Sequence, residues 1–252
     1  MKKIFKDLST SYNKYRNEDA ILVYQMGKVG STSFEQSLPN SIHLHTLFGN
    51  SPCYLHQNLR DKYKLGLLKR LFFEFVKRIA IKKRNKIKII SLIREPISRD
   101  KSMFFQNIQH WLYKYSEDPS TDIRSEGNEY LVDAFYKIYD FDYGLNWYSR
   151  EFKKFTGIDV YQYEYNVKEG YTIINEGKFE VLIINLANLN ELNAVITNFT
   201  GQDISQVKGN SGDKKWYSEV YKAFNKGFVI RTEYREKIQN SIFYRHFFYE
   251  KP

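Results

Sequence analysis

Apolar residues in this 252-residue chain fall into short continuous runs, separated by longer stretches in which they recur at helical spacing. The runs Ile21-Leu22-Val23-Tyr24, Ser41-Ile42-His43-Leu44-His45 and Ile87 to Ile93 predict three strands. Ile158-Asp159-Val160-Tyr161 predicts a fourth strand. Tyr171-Thr172-Ile173-Ile174 and Phe179 to Ile184 predict an extended pair turning at Asn175-Glu176-Gly177-Lys178, with the second member buried. Between them, Ser31 to Leu38 predicts a short helix stopped by Pro39-Asn40. Residues 55–84 carry Leu67, Leu68, Leu71, Phe72, Phe75, Val76, Ile79 and Ala80 at helical intervals, and Pro96 opens a helix with Ile97, Met103, Phe104, Ile108 and Trp111 on one side. A further helical stretch over 130–155 breaks near Asp140-Phe141-Asp142 and is capped by Gly157, and helices follow over 189–199, 214–225 and 231–244.

Alternation of strands with helices predicts an α/β fold: a central, mostly parallel sheet flanked by helices, with right-handed crossovers and ligand loops at the carboxyl ends of strands. No Pro/Gly/Ser-rich linker divides the chain, so residues 1–252 read as a single domain, with 1–19 as an N-terminal extension.

A net charge of +10 turns attention to anionic partners: nucleotides, acidic polysaccharides, nucleic acids or lipid headgroups. The 21 Tyr and 19 Phe are spread along the chain instead of clustering beside basic residues, which argues against a dedicated single-stranded nucleic-acid platform. One cysteine, Cys53, excludes an intramolecular disulfide, and with neither a signal peptide nor a membrane-spanning run in view the expected address is cytoplasmic. About a dozen basic residues lie over 60–88; they read as the solvated face of a helix, with contact to an anionic membrane surface or steering of an anionic glycan as the alternatives.

The chemistry concentrates in Gln25-Met26-Gly27-Lys28-Val29-Gly30-Ser31-Thr32-Ser33-Phe34, immediately after the first strand. Glycines let such a loop turn its N–H groups inward, Lys28 adds a point charge, and three hydroxyls sit at a helix start. A Mg-nucleotide loop would carry a glycine five positions before Gly27, where Leu22 stands, and a hydroxyl after the lysine, where Val29 stands. The strand ending at Ile93 runs into Arg94 instead of a metal-binding carboxylate. This pattern suits a ligand with phosphates in two places and no metal.

With both segments in view, the chain resembles sulfotransferases that use 3′-phosphoadenosine 5′-phosphosulfate (PAPS), carbohydrate sulfotransferases in particular. The Lys28 loop looks like their 5′-phosphosulfate loop, and Arg94-Glu95-Pro96-Ile97-Ser98-Arg99-Asp100-Lys101-Ser102-Met103-Phe104-Phe105 looks like their 3′-phosphate segment. A closer likeness is to the bacterial capsular polysaccharide synthesis proteins known by an Asn-Lys-Trp and Tyr-Ser signature; here Trp-Tyr-Ser occurs at 147–149 and again at 216–218, neither copy with the full Asn-Lys-Trp.

The resemblance implies a three-layer P-loop (NTPase-like) fold. It implies sulfuryl transfer from PAPS to a hydroxyl of a carbohydrate or glycolipid, leaving adenosine 3′,5′-bisphosphate, without metal or an obligate protein partner. Lys28 is expected at the leaving oxygen, Gly27, Val29, Gly30, Ser31, Thr32 and Ser33 around the 5′-phosphate, and Arg94 and Ser102 on the 3′-phosphate. Arg99 fits a structural ion pair better. His45 is expected as the base, with His43 second and Glu35 a further candidate; Lys208 and Gly209 resemble a late loop that closes over the nucleotide. A Mg-dependent P-loop kinase and a non-catalytic nucleotide- or glycan-binding member of the fold are the competing readings.

Overall fold

The computed structural model describes residues 2–30, 37–38, 40–48, 64–118, 122–202 and 215–250, with the backbone alone described for 2–7 and 64–70. The expected helix over 31–38 therefore lies almost wholly outside the described residues, as does Cys53.

The chain opens with helix α1 (Lys2–Arg16), then β1 (Ile21–Tyr24), β2 (Ser41–Leu44), α2 (Lys64–Lys82) and β3 (Ile87–Ile93). Helices α3 (Pro96–Gln106), α4 (Ile108–Ser116), α5 (Asn128–Ile138) and α6 (Asp142–Leu145) follow, then a π turn over Tyr148–Phe152 and α7 (Lys153–Thr156). A 3₁₀ turn (Val160–Gln162) leads to the hairpin β4 (Tyr171–Glu176) and β5 (Phe179–Asn185). Finally come a 3₁₀ segment (Leu186–Glu191), α8 (Asn193–Thr200), α9 (Ser218–Gly227), α10 (Thr232–Asn240) and α11 (Ile242–Phe247).

The sheet order is β2-β1-β3-β5-β4. Parallel pairing joins the first four, and β4 pairs antiparallel with β5, from Tyr171 opposite Ile184 to Glu176 opposite Phe179. β1, β3 and β5 bury both faces, as parallel strands covered on each side must; Ile87, Ile89, Ile90, Leu92 and Ile93 are all fully enclosed. The turn between β4 and β5 is shorter than expected, the two residues Gly177-Lys178, because Gly177 accepts the left-handed φ of 57° such a turn demands.

The fourth predicted strand does not form. Ile158 and Val160 are buried as expected, yet Asp159 turns its carboxylate onto the Tyr161 N–H at 3.3 Å and so favours a 3₁₀ turn over a ladder. Two expected helices are each divided. Asn107, at φ −122°, ends α3 and starts α4, and Ser241 ends α10 while its Oγ caps α11 through the Tyr244 N–H at 3.1 Å. The N-terminal extension is helical and packs on α2; Arg84 fastens it by donating to the Tyr15 and Ala20 carbonyls, each at 2.7 Å.

One face of the sheet carries an aromatic layer. Tyr24 meets Trp147 at 5.0 Å and Phe152 at 5.9 Å between ring centroids, and the Ser91 hydroxyl meets that of Tyr148 at 2.9 Å. Tyr148 also packs on Phe247 of α11. The first Trp-Tyr-Ser copy thus builds the layer that backs the central strands.

Candidate functional site

β1 is followed in the chain by β2 on one side of it, and the chain then returns to β3 on the other. The strand order reverses there, and in open α/β sheets the crevice outside the carboxyl ends at such a reversal is where ligands bind. The loop 25–30 leaves β1 at this point, and Arg94 leaves β3 beside it.

Gln25 ties the two strand ends together. Its side chain is fully enclosed, and its Oε1 accepts the Leu92 N–H at 3.0 Å. Beyond it, Lys28 and Gly30 both take left-handed backbone conformations, φ 70° and 95°, around a buried Val29. For a lysine this costs about 1 kcal/mol, offset only by what the turn does. A Cβ at Gly27 would overlap the terminal methyl of Met103, so glycine there lets the loop lie against α3. A Cβ at Gly30 would lie 2.5 Å from Leu186 Cδ1.

Arg94 is half-buried and bridges the two segments: it donates to the Lys28 carbonyl at 3.2 Å and to Ser98 Oγ at 2.7 Å. Lys28 reaches α3 from the other side, its Nζ donating to Gln106 Oε1 at 2.5 Å. Ser98, Ser102 and Gln106 follow one another at intervals of four on α3, hence along one stripe of the helix. Ser102 stands between the residue that holds Arg94 and the one that holds Lys28. Glu95, the carboxylate nearest in sequence, is turned away, its oxygens capping α3 through the Ile97 and Ser98 N–H groups at 2.9 and 2.7 Å.

The site is a cluster of cations. Burial first, then the neighbouring charges of Lys215 and Arg94, pull the Lys28 ammonium down to about 7. Arg94 is likewise lowered by its burial, against which Tyr221 and Glu95 act. Like charges held together in a partly dry crevice are costly unless an anion joins them. Tyr143 closes the edge, with its hydroxyl by the Gly27 backbone N–H and its ring under the Arg99 guanidinium at 5.3 Å; burial pushes it up to about 12.

Arg99 has the structural place expected of it, fully buried against Asp100, which also accepts from Tyr234 at 2.8 Å and Tyr139 at 3.2 Å. His43 and His45 share one side of β2 and its exit, their rings 4.3 Å apart. His45 is the outer of the two and is held on three sides. Its Nδ1 donates to the Gln25 carbonyl at 3.0 Å, its own carbonyl accepts Trp147 Nε1–H at 3.0 Å, and the next two residues bind Glu151. Because a carbonyl can only accept, the neutral His45 ring carries its lone pair on Nε2.

Glu151 lies in the π turn, a backbone form concentrated at functional sites. It accepts from Thr46 Oγ1 at 2.7 Å, Leu47 N–H at 3.1 Å and Tyr24 Oη at 3.0 Å, and burial raises it above the usual carboxylate range.

Of the residues expected from sequence, Gly27, Lys28, Val29, Gly30, Arg94 and Ser102 come together where β1 and β3 end and along α3, and His45 adjoins them through the Gln25 carbonyl, with the His43 ring beside it. Ser31, Thr32, Ser33, Glu35, Lys208 and Gly209 lie outside the described residues. Sequence reasoning passed over Ser98, Gln106, Tyr143, Glu151 and Lys215. The four-residue spacing from Ser102 was the available signal for the first two, and Lys215 ends the same basic stretch as Lys208.

Among the described residues no group of three or more His, Cys, Asp or Glu could hold a metal ion, and no helix is long and apolar enough to cross a membrane. No curated protein and no solved structure matches the chain. A family does match: residues 122–249, from the loop before α5 to just past α11, fit the NKWYS family, described as "putative capsular polysaccharide synthesis protein". That segment contains Tyr143 and Lys215, which lie against Gly27 and Lys28, and Trp147 and Glu151, which hold the exit of β2. The chain belongs to this NKWYS family.

Proposed function

We propose that the protein is a cytoplasmic, P-loop-type sulfotransferase that uses PAPS and a hydroxyl of a carbohydrate or glycolipid in surface polysaccharide synthesis. The observation that carries this reading is the convergence of Lys28, Arg94 and Lys215 at the reversal of strand order. Two separately anchored cations, one from each strand end, fit a ligand with anionic groups in two places. The family description supports a polysaccharide as the acceptor class.

PAPS supplies, when bound, a sulfuryl group on a phosphosulfate anhydride. The chain's own part is placement and charge. Loop N–H groups from Lys28 to Gly30 and the Lys28 ammonium would hold the 5′ side, and the Arg94 fork with Ser98 and Ser102 would hold the 3′ phosphate. Lys28 is poised to stabilise the charge that develops on the leaving oxygen, for a group near neutrality takes up a proton readily when an anion arrives. His45 presents Nε2 as the atom able to take the acceptor proton, and Trp147, Glu151 and the Gln25 carbonyl keep its ring and backbone in place.

Transfer of labelled sulfate from PAPS to a capsular or glycolipid acceptor preparation tests this. Lys28→Ala should slow transfer about 10²–10³-fold, and His45→Ala about 10²-fold or more with nucleotide binding retained. Full activity in Lys28→Ala, or no transfer by the wild type to any acceptor hydroxyl, would refute the reading.

A further inference from the structure

α2 carries a surface that the sulfuryl-transfer reading does not use. Leu71, Phe72 and Phe75 are 40, 51 and 49% exposed, three of the largest exposed apolar side chains among the described residues, and they sit within two turns of one helix. At 100° per residue they span one side of it. Their surroundings are cationic. Arg78 lies 5.8 Å from the Phe75 ring and 4.7 Å from that of Phe48, and Lys154 sits 4.2 Å over Phe48. Lys82 and Lys83 continue the exposed surface beyond. The helix has six basic residues and one acidic, Glu74, and that carboxylate is buried and paired with Lys77 at 3.1 Å.

We propose that this face of α2 is a peripheral docking surface for an anionic membrane, with Leu71, Phe72 and Phe75 entering the headgroup–acyl boundary and the basic residues resting on the lipid phosphates. An apolar centre inside a cationic rim, with no exposed carboxylate on the helix, complements an acidic bilayer surface and provides the two signals that stable yet reversible binding requires. A protein partner would have to match an apolar wedge with an acidic ring; an anionic bilayer offers both to any approach direction. The inference stands apart from sulfuryl transfer, which uses neither the apolar face nor its basic rim.

Co-sedimentation with vesicles of phosphatidylcholine containing phosphatidylglycerol tests it, with pure phosphatidylcholine vesicles as the neutral arm. Wild-type protein should partition onto the anionic vesicles at least about tenfold better than onto the neutral ones and should be released at about 0.5 M salt. The double variant Phe72→Ser/Phe75→Ser should lose about tenfold or more in partitioning. Since both side chains are exposed, its thermal unfolding should match the wild type. Lys82→Gln/Lys83→Gln should weaken binding to anionic vesicles alone. Absence of wild-type binding, or equal binding by the Phe72→Ser/Phe75→Ser protein, would overturn the proposal. So would light scattering that shows a wild-type dimer abolished by that substitution, since the face would then be a self-association surface.

Discussion

Replacing Lys28 with methionine should make the ligand-free protein more stable while removing its capacity to bind an anion. The ammonium is drawn from 10.5 down to about 7, chiefly by burial and then by Lys215 and Arg94. At about 1.4 kcal/mol per pH unit, that depression sets an upper bound of about 5 kcal/mol on the cost of keeping the charge in place; the group is only partly withdrawn from water, and screening reduces this to about 1–2 kcal/mol. The sign follows from proton counts. Between about 7 and 10.5 the unfolded chain binds the proton and the folded chain does not, so the wild type gains stability as pH rises across this window and carries the full penalty below it. Lys28→Met lacks the group. Its advantage should therefore be about 1–2 kcal/mol at pH 6–7, or roughly 2–6 °C in melting temperature for a domain of this size, and should vanish near pH 10.5. Urea denaturation of both proteins at pH 6, 8 and 10 is the assay. A Lys28→Met protein less stable than the wild type at pH 6, or an advantage that does not change with pH, would refute the electrostatic account of the crevice.

Three further outcomes follow from the same geometry. Arg94→Lys keeps the charge but loses the fork that spans the Lys28 carbonyl and Ser98, so affinity for adenosine 3′,5′-bisphosphate, read by titration calorimetry, should fall at least about tenfold. Glu151→Ala leaves the enclosed Tyr24 hydroxyl and the Leu47 N–H without their acceptor and should cost about 2–4 kcal/mol in denaturant unfolding. Gly30→Ala meets both a left-handed φ of 95° and the Leu186 side chain at 2.5 Å, so it should destabilise by about 1–3 kcal/mol and depress nucleotide binding.

Much of the sheet could be read from the sequence because its central strands are buried on both faces. Ile21–Tyr24 is a continuous apolar run and Ile87–Ile93 is interrupted only by Lys88 and Ser91; both runs are short enough and rich enough in Ile and Val to favour strands over helices. The segment at 158–161 misled because Ile158 and Val160 alternate like strand residues, while the competing side-chain bond from Asp159 cannot be seen in an apolar pattern. The break at Ser241 is of the same kind, a side-chain cap inside an otherwise continuous periodicity, while at Asn107 the backbone itself leaves the helical conformation without a side-chain cap on α4. In the site, Arg94 was legible because it directly follows a strand whose end the pattern defines, and Lys28 because it stands in the glycine-bearing loop after one. The positions that support them come from far along the chain. Glu151 and Trp147 reach the exit of β2 across a separation of more than 100 residues, and only the folded sheet brings them to His45. Lys215 was visible as charge, but its place beside Lys28 was not.

A crevice that takes a nucleotide with phosphates in two places, as proposed for the ends of β1 and β3, should bind adenosine 3′,5′-bisphosphate by itself. Calorimetric titration of the wild type with adenosine 3′,5′-bisphosphate at pH 6, in parallel with Mg-ATP, tests it most directly. The bisphosphate should bind at least about tenfold tighter than Mg-ATP, and its binding should weaken as pH rises above about 7, where Lys28 of the free protein loses its proton. No binding of the bisphosphate, or tighter binding of Mg-ATP, would contradict it.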